Sequence, residues 1–214
     1  MRLHDYPASA NCYKVRLLLA QLELDYERVT VDIFAADTLT DEFGVLNPAR
    51  ETPVLEEDEA APLPESNAIL FHLAEGTEFL SGDPNQRGQT LRWLFWEQSQ
   101  VIPGIAGLRF RLQTGRLNPE GRTAVYLHAA GEGALAVLDG HLAERDFMVD
   151  RRYSVADISL YAYVHVAGEA GLDLDSRPAV RAWLARVEET TSFMNDLEPY
   201  PANTRPGASR SIYD

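Results

Sequence analysis

Between Arg2 and Ile33 the apolar pattern changes period twice, and this limits the folds open to the chain more than any other feature. Arg2 to Tyr6 reads as a short strand, stopped by Pro7, which has no N–H to continue a ladder. Ala8 to Asn11 make a turn. From Cys12 to Leu22 the residues Val15, Leu18, Leu19 and Leu22 recur at i, i+3, i+4 and i+7, which is one face of an amphipathic helix. Tyr26 to Ile33 then alternates apolar and polar residues as a strand does. Strand, helix and strand in so short a span form a β-α-β unit, with a right-handed crossover and parallel strands.

The pattern continues with a short helix over 38–46, ended by Asn47-Pro48. Thr52-Pro53-Val54-Leu55 is a short strand, Glu56 to Ala61 an acidic turn, and Pro62-Leu63-Pro64 a last short strand edged by prolines. Glu65-Ser66 opens a helix that runs through Ala74. The order β-α-β-α-β-β-α is thioredoxin-like. Gly76 to Arg87 is rich in turn residues and reads as a linker. Beyond it, apolar-periodic stretches at 87–115, 119–143, 154–169 and 178–190 predict a helical bundle. Ser154-Val155-Ala156-Asp157 has capping-box spacing, with Tyr153 and Ile158 at the staple positions. The expected organisation is a thioredoxin-like domain over 1–76, a linker over 77–86, an all-helical domain over 87–194 and an extended surface tail over 195–214.

At 214 residues, 45% of them apolar, the chain can form one large domain or two small ones that each bury a core. Its formal net charge of −14 works against nucleic acid and anionic membrane as partners, since both are held chiefly by Lys and Arg. The N-terminal segment carries no apolar leader pattern and no stretch reaches the length of a membrane span, so a cytoplasmic location is expected. A single cysteine, Cys12, allows no intrachain disulfide, and the five histidines have no HxxxH or HExxH spacing, so no metal is expected. An acidic chain that takes an anionic substrate must supply local positive charge or helix N-terminal amides.

Four motifs in order resemble those of the glutathione transferase superfamily: Ser9-Ala10-Asn11-Cys12-Tyr13-Lys14-Val15-Arg16, Thr52-Pro53, Glu65-Ser66 and Ser154-Val155-Ala156-Asp157. The resemblance covers about residues 1–195 and implies a thioredoxin-like domain followed by an all-helical one. It implies a dimeric detoxification enzyme that binds glutathione as co-substrate and turns its sulfur on an electrophile, a peroxide or a disulfide. In that family the proline matching Pro53 is cis, and its neighbour, here Thr52, offers backbone groups to the cysteinyl part of glutathione. Glu65 and Ser66 match residues that hold the γ-glutamyl end, the carboxylate attracting its ammonium group and the helix N-terminus its carboxylate.

Ser9 matches the serine that theta- and zeta-like classes use to donate a hydrogen bond to the glutathione sulfur. A free thiol of pKa about 8.5 is roughly 3% ionised at pH 7, and lowering it by about two units takes about 2.7 kcal/mol. One charge-assisted hydrogen bond and a helix N-terminus suffice for that. Asn11 matches the asparagine that contacts sulfur in the disulfide-reductase-like Nu branch, so the donor is Ser9, Asn11 or both. Arg50 stands where it could offset Glu51, a carboxylate at a position where many relatives hold the glycyl carboxylate with Gln or Lys. Trp96, Pro103 and Arg109 fall in the stretch that would line the second-substrate pocket. The helical domain's Glu97 to Gln100 stretch would complete the partner's site in a homodimer. Besides conjugation, the resemblance leaves open a Nu-like disulfide-bond oxidoreductase and a non-catalytic interaction protein of the same fold.

Overall fold

A computed structural model describes residues 1–213, which divide into two compact units: Met1–Leu73 with the C-terminal stretch from Met194, and Ala74–Phe193. Among the described residues the first unit holds a four-stranded sheet of order β2-β1-β3-β4, with β1 Arg2–Asp5, β2 Glu27–Thr30, β3 Val54–Glu56 and β4 Leu63–Pro64. Strand β1 runs parallel to β2 and antiparallel to β3, and β3 antiparallel to β4. Helices α1 (Ala10–Gln21), α2 (Asp41–Leu46) and α3 (Ser66–Leu73) complete the order expected from the sequence. Leu3, Val15, Leu19, Leu55 and Ile69 form a core from β1, α1, β3 and α3.

One boundary differs from the periodicity. Strand β2 ends at Thr30 because Asp32 folds the next residues into a turn, accepting from the Phe34 amide at 2.9 Å while its own amide donates to Asp37 at 2.7 Å. The C-terminal stretch, read from its composition as a surface tail, packs with the first unit, and Thr204 and Ser211 are buried there.

The second unit begins with α4 (Pro84–Trp96), capped by Asp83, whose carboxylate accepts from the Gln86 amide at 2.9 Å. From Glu97 to Ala106 the helix widens into π-type turns around Pro103, and α5 (Gly107–Gln113) follows without a break. Pro103 has no N–H for the α-helical ladder, and a widened turn accommodates it. Helices α6 (Arg122–Leu142), α7 (Val155–Val164) and α8 (Pro178–Glu188) complete the bundle. The π segment and α6 approach so closely that a Cβ on Gly131 would lie 2.6 Å from the Gly104 carbonyl oxygen. At the start of α7 the capping box is present, and Asp157 accepts from the Met148 amide (2.8 Å), the Ser154 amide (3.0 Å), the Ser154 hydroxyl (3.0 Å) and the Trp183 indole (2.9 Å).

Candidate functional site

Strand register sets the site. His4 of β1 lies opposite Val54 of β3, and Val54 lies opposite Pro64 of β4. The residues that follow β1, precede β3 and follow β4 therefore meet at one end of the sheet. They are Ser9, Thr52-Pro53 and Glu65-Ser66, three of the four motifs found in the sequence.

Ser9 is the N-cap of α1, in extended backbone conformation, and its Oγ accepts from the Cys12 amide at 3.3 Å. A hydroxyl has one donor and two acceptor positions, so capping leaves the Ser9 proton to be directed at a further acceptor. Capping α1 and donating to a thiolate are therefore compatible roles for this serine. Cys12 is fully buried, with the Tyr6 amide 3.4 Å from its sulfur. Burial, and then the nearby Asp5 carboxylate, push its thiol up to about 11, so it is a neutral packing group at physiological pH.

The Thr52-Pro53 peptide is cis, as the motif implied. Glu65 has φ +75° just before α3, a left-handed conformation that costs a non-glycine residue about 1 kcal/mol or more. Its carbonyl already accepts the first helical bond, from Ile69 at 2.9 Å, so its backbone is fixed while its side chain is exposed. Ser66 is buried, and its hydroxyl donates to Asn11 Oδ1 at 3.2 Å. Asn11 thus ties the first turn of α1 to the first turn of α3 and keeps its amide –NH2 as a donor pair. Two helix N-termini, each with partial positive charge, are held side by side by one hydrogen bond.

Lys14, not singled out in the sequence, reinforces this arrangement. It is fully buried, and its Nζ donates to Asn67 Oδ1 at 3.1 Å. The available signal was its spacing, since Lys14 is three residues beyond Asn11 and shares its helix face.

Arg50 is not brought to the other residues in the expected way. Its guanidinium donates to the carbonyl oxygens of Thr38 (2.9 Å) and Thr40 (2.7 Å), so it closes the loop leading into α2 instead of compensating Glu51. Partial burial, and then the Glu65 carboxylate, raise the Glu51 carboxyl above its ordinary range.

In the second unit, Trp96 is partly buried and packs edge-on against Trp93 at 5.2 Å, while Pro103 is exposed. Arg109 is buried and its Nε donates to Glu169 at 2.7 Å, so its charge is committed within the bundle.

Comparison with known proteins agrees with this geometry. The glutathione S-transferase N-terminal domain model matches residues 3–78 and the corresponding C-terminal domain model residues 120–190. A crystal structure of glutathione S-transferase from Pseudomonas fluorescens Pf-5 is 41% identical with a TM-score of 0.88, over 92% of this chain and 98% of that one. The chain belongs to the glutathione S-transferase superfamily. Within it, the chain is 29% identical over 206 residues to the disulfide-bond oxidoreductase YfcG of Escherichia coli, covering 85% of this chain and 87% of YfcG. It is also 29% identical, with a TM-score of 0.83, to a Pseudomonas putida glutathione transferase that carries one glutathione disulfide per subunit, over 92% of this chain and 90% of that one. The family's thioredoxin-like and helical parts correspond to the two units. No helix among the described residues is long and apolar enough to cross a membrane.

Proposed function

We propose that this transferase-family chain binds glutathione across the end of its sheet and ionises the thiol there. Glu65 meets the γ-glutamyl ammonium group, Ser66 and the α3 N-terminus meet the γ-glutamyl carboxylate, and the backbone at Thr52 receives the cysteinyl part. The Ser9 hydroxyl donates to the sulfur, with the α1 N-terminus adding positive partial charge. The observation that carries this reading is the Ser66–Asn11 hydrogen bond of 3.2 Å, which joins two helix N-termini around the motif residues.

The thiolate attacks the second substrate. With an aryl halide, a carbon–sulfur bond forms and halide leaves. With a hydroperoxide, sulfur takes the terminal oxygen and alkoxide leaves with a proton, after which a second glutathione gives the disulfide and water. With a disulfide, a new S–S bond forms and the other sulfur leaves as thiolate. The Asn11 amide beside the site and the similarity to YfcG favour the disulfide as the reaction to try first.

The reading extends to a cytoplasmic homodimer, the assembly typical of the superfamily. Phe95, Val125 and Tyr126 are large apolar side chains exposed on the second unit, as an interface would require. Calorimetric titration with glutathione tests the core of the proposal. Binding that Glu65→Ala and Ser66→Ala each weaken about ten-fold or more is expected from the loss of charge-assisted contacts. Absence of binding to the wild-type protein contradicts it.

A further inference from the structure

From Met194 on, the chain returns over the first unit as a strap, and its first anchors there are polar. The Tyr13 hydroxyl donates to the Met194 carbonyl at 2.9 Å. Arg16, fully buried, donates from Nε to both carboxylate oxygens of Asp196 at 2.9 Å and also pairs with buried Asp5. Arg28 contacts both acids, closing a cluster of two cations and two anions. Replacing a buried ion pair by apolar side chains of similar volume is often neutral or stabilising, so fastening alone does not call for such a cluster. What a guanidinium adds is direction, because its five N–H groups point along the fixed lines of a planar fork.

One of those lines leads to the turn that carries Ser9. The turn Tyr6–Ser9 is closed by the Ser9 amide, which donates to the Tyr6 carbonyl at 2.9 Å, and its central peptide bears the Pro7 carbonyl. That oxygen accepts twice, from Arg16 Nη2 at 3.3 Å and from the strap's Glu198 amide at 3.2 Å, which uses both of its lone pairs. Arg16 Nη2 is in turn held by Asp196, whose carboxylate lies 2.9 Å away. The tilt of a turn's central peptide sets the direction in which the chain leaves the turn, and here the chain leaves it at Ser9, the N-cap of α1.

We propose that Asp196 is a positioning residue for the thiolate donor: through Arg16 and the Glu198 amide, the strap locks the Pro7 carbonyl and so aims the Ser9 hydroxyl at the glutathione sulfur. This rests on the reading of Ser9 as that donor. A donor acts well only when held within roughly 0.5 Å and 10–20° of its productive geometry, and a turn gripped by both helix and strap meets that demand.

The test follows the pKa of bound glutathione, by thiolate absorbance against pH, in full-length wild type, Asp196→Ala, Ser9→Ala and the double variant, with melting temperatures alongside. Loss of a carboxylate would by itself ease ionisation of a nearby thiol and lower its pKa. The rise of about 0.5 to 1 unit expected in Asp196→Ala, roughly a three- to ten-fold weaker ionisation, therefore reports a lost aim of Ser9. In the Ser9→Ala background Asp196→Ala should add no further rise, since the two act as one unit. Asn203→Ala cuts a different anchor of the strap, the 2.8 Å bond to Asp32, and should lower the melting temperature while leaving the thiol pKa at its wild-type value. Asp196→Asn keeps one acceptor for Arg16 and should shift the pKa in the same direction, so it carries the test where the alanine variant does not fold. An unchanged or lowered pKa in the Asp196 variants, a rise of equal size with and without Ser9, or an equal rise in Asn203→Ala overturns the inference. If Ser9→Ala alone leaves the bound-thiol pKa unchanged, the donor reading itself fails, and the inference with it.

Discussion

Glu51 is the side chain whose charge works most directly against the proposed substrate. It precedes Thr52, lies near Glu65, and has lost the compensation expected from Arg50, whose guanidinium serves the carbonyls of Thr38 and Thr40. Glu51→Gln should therefore tighten glutathione binding by about two- to five-fold at pH 7 and low salt, with the gain shrinking as salt screens the charges. A weaker affinity in that variant, measured by calorimetry, would show that Glu51 holds the substrate. Arg50→Ala should lower the melting temperature more than it lowers affinity, because it frees two carbonyls at the entry to α2. These positions also show where the sequence was legible. Ser9, Thr52-Pro53 and Glu65-Ser66 stand in local motifs next to strand ends, so their meeting could be inferred. The destination of the Arg50 guanidinium could not, because a long flexible side chain reaches any nearby acceptor. Lys14 was missed for a related reason: its spacing from Asn11 puts it on the same helix face, but not until its partner, Asn67, is placed does its burial follow.

Helix α7 depends on a single carboxylate. Asp157 is fully buried and accepts four hydrogen bonds, so Asp157→Ala orphans several donors at once and should cost about 3 kcal/mol or more. This exceeds the loss of an N-cap alone, because the Met148 amide and the Trp183 indole lie outside the cap. Burial pushes the carboxyl up to about 6 from an ordinary 3.8, the hydrogen bonds opposing that shift. A raised folded-state pKa contributes stability that is complete below about pH 4 and is lost as pH rises through about 6. The melting-temperature difference between wild type and Asp157→Asn, which has no such titration, should therefore shrink from pH 4 to pH 7; a constant or growing difference would contradict this. Gly131→Ala should cost about 1–3 kcal/mol, measured by denaturant unfolding, since its Cβ would meet the Gly104 carbonyl. The capping box was readable because its two partners are three residues apart. The widened turns from Glu97 to Ala106 were not, since Pro103 marks a disturbed helix without specifying how the backbone accommodates it.

Inside an acidic chain, the site relies on the partial positive charge of helix N-termini, while its arginines are paired with carboxylates. Two helix N-termini converge on the sheet end, and the C-terminal strap is fastened by Arg16 and Arg28 to Asp5 and Asp196. The β-α-β-α-β-β-α order followed by helices was legible from periodicity, but the strap was not, because its partners lie up to 181 residues away in sequence. In solution the proposed homodimer should have a mass near 48 kDa, twice the 23.9 kDa of the chain. A light-scattering mass near 24 kDa at micromolar concentration would exclude it. The central claim is that this fold ionises glutathione through Ser9, and it is tested most directly by the ultraviolet absorbance of the bound thiolate titrated against pH. Wild type should show a bound-thiol pKa about two units below the free value, and Ser9→Ala should raise it by about one to two units, the loss of one charge-assisted hydrogen bond, with a smaller rise in Asn11→Ala. An unchanged pKa in Ser9→Ala together with a large rise in Asn11→Ala would contradict the account and transfer the donor role to Asn11.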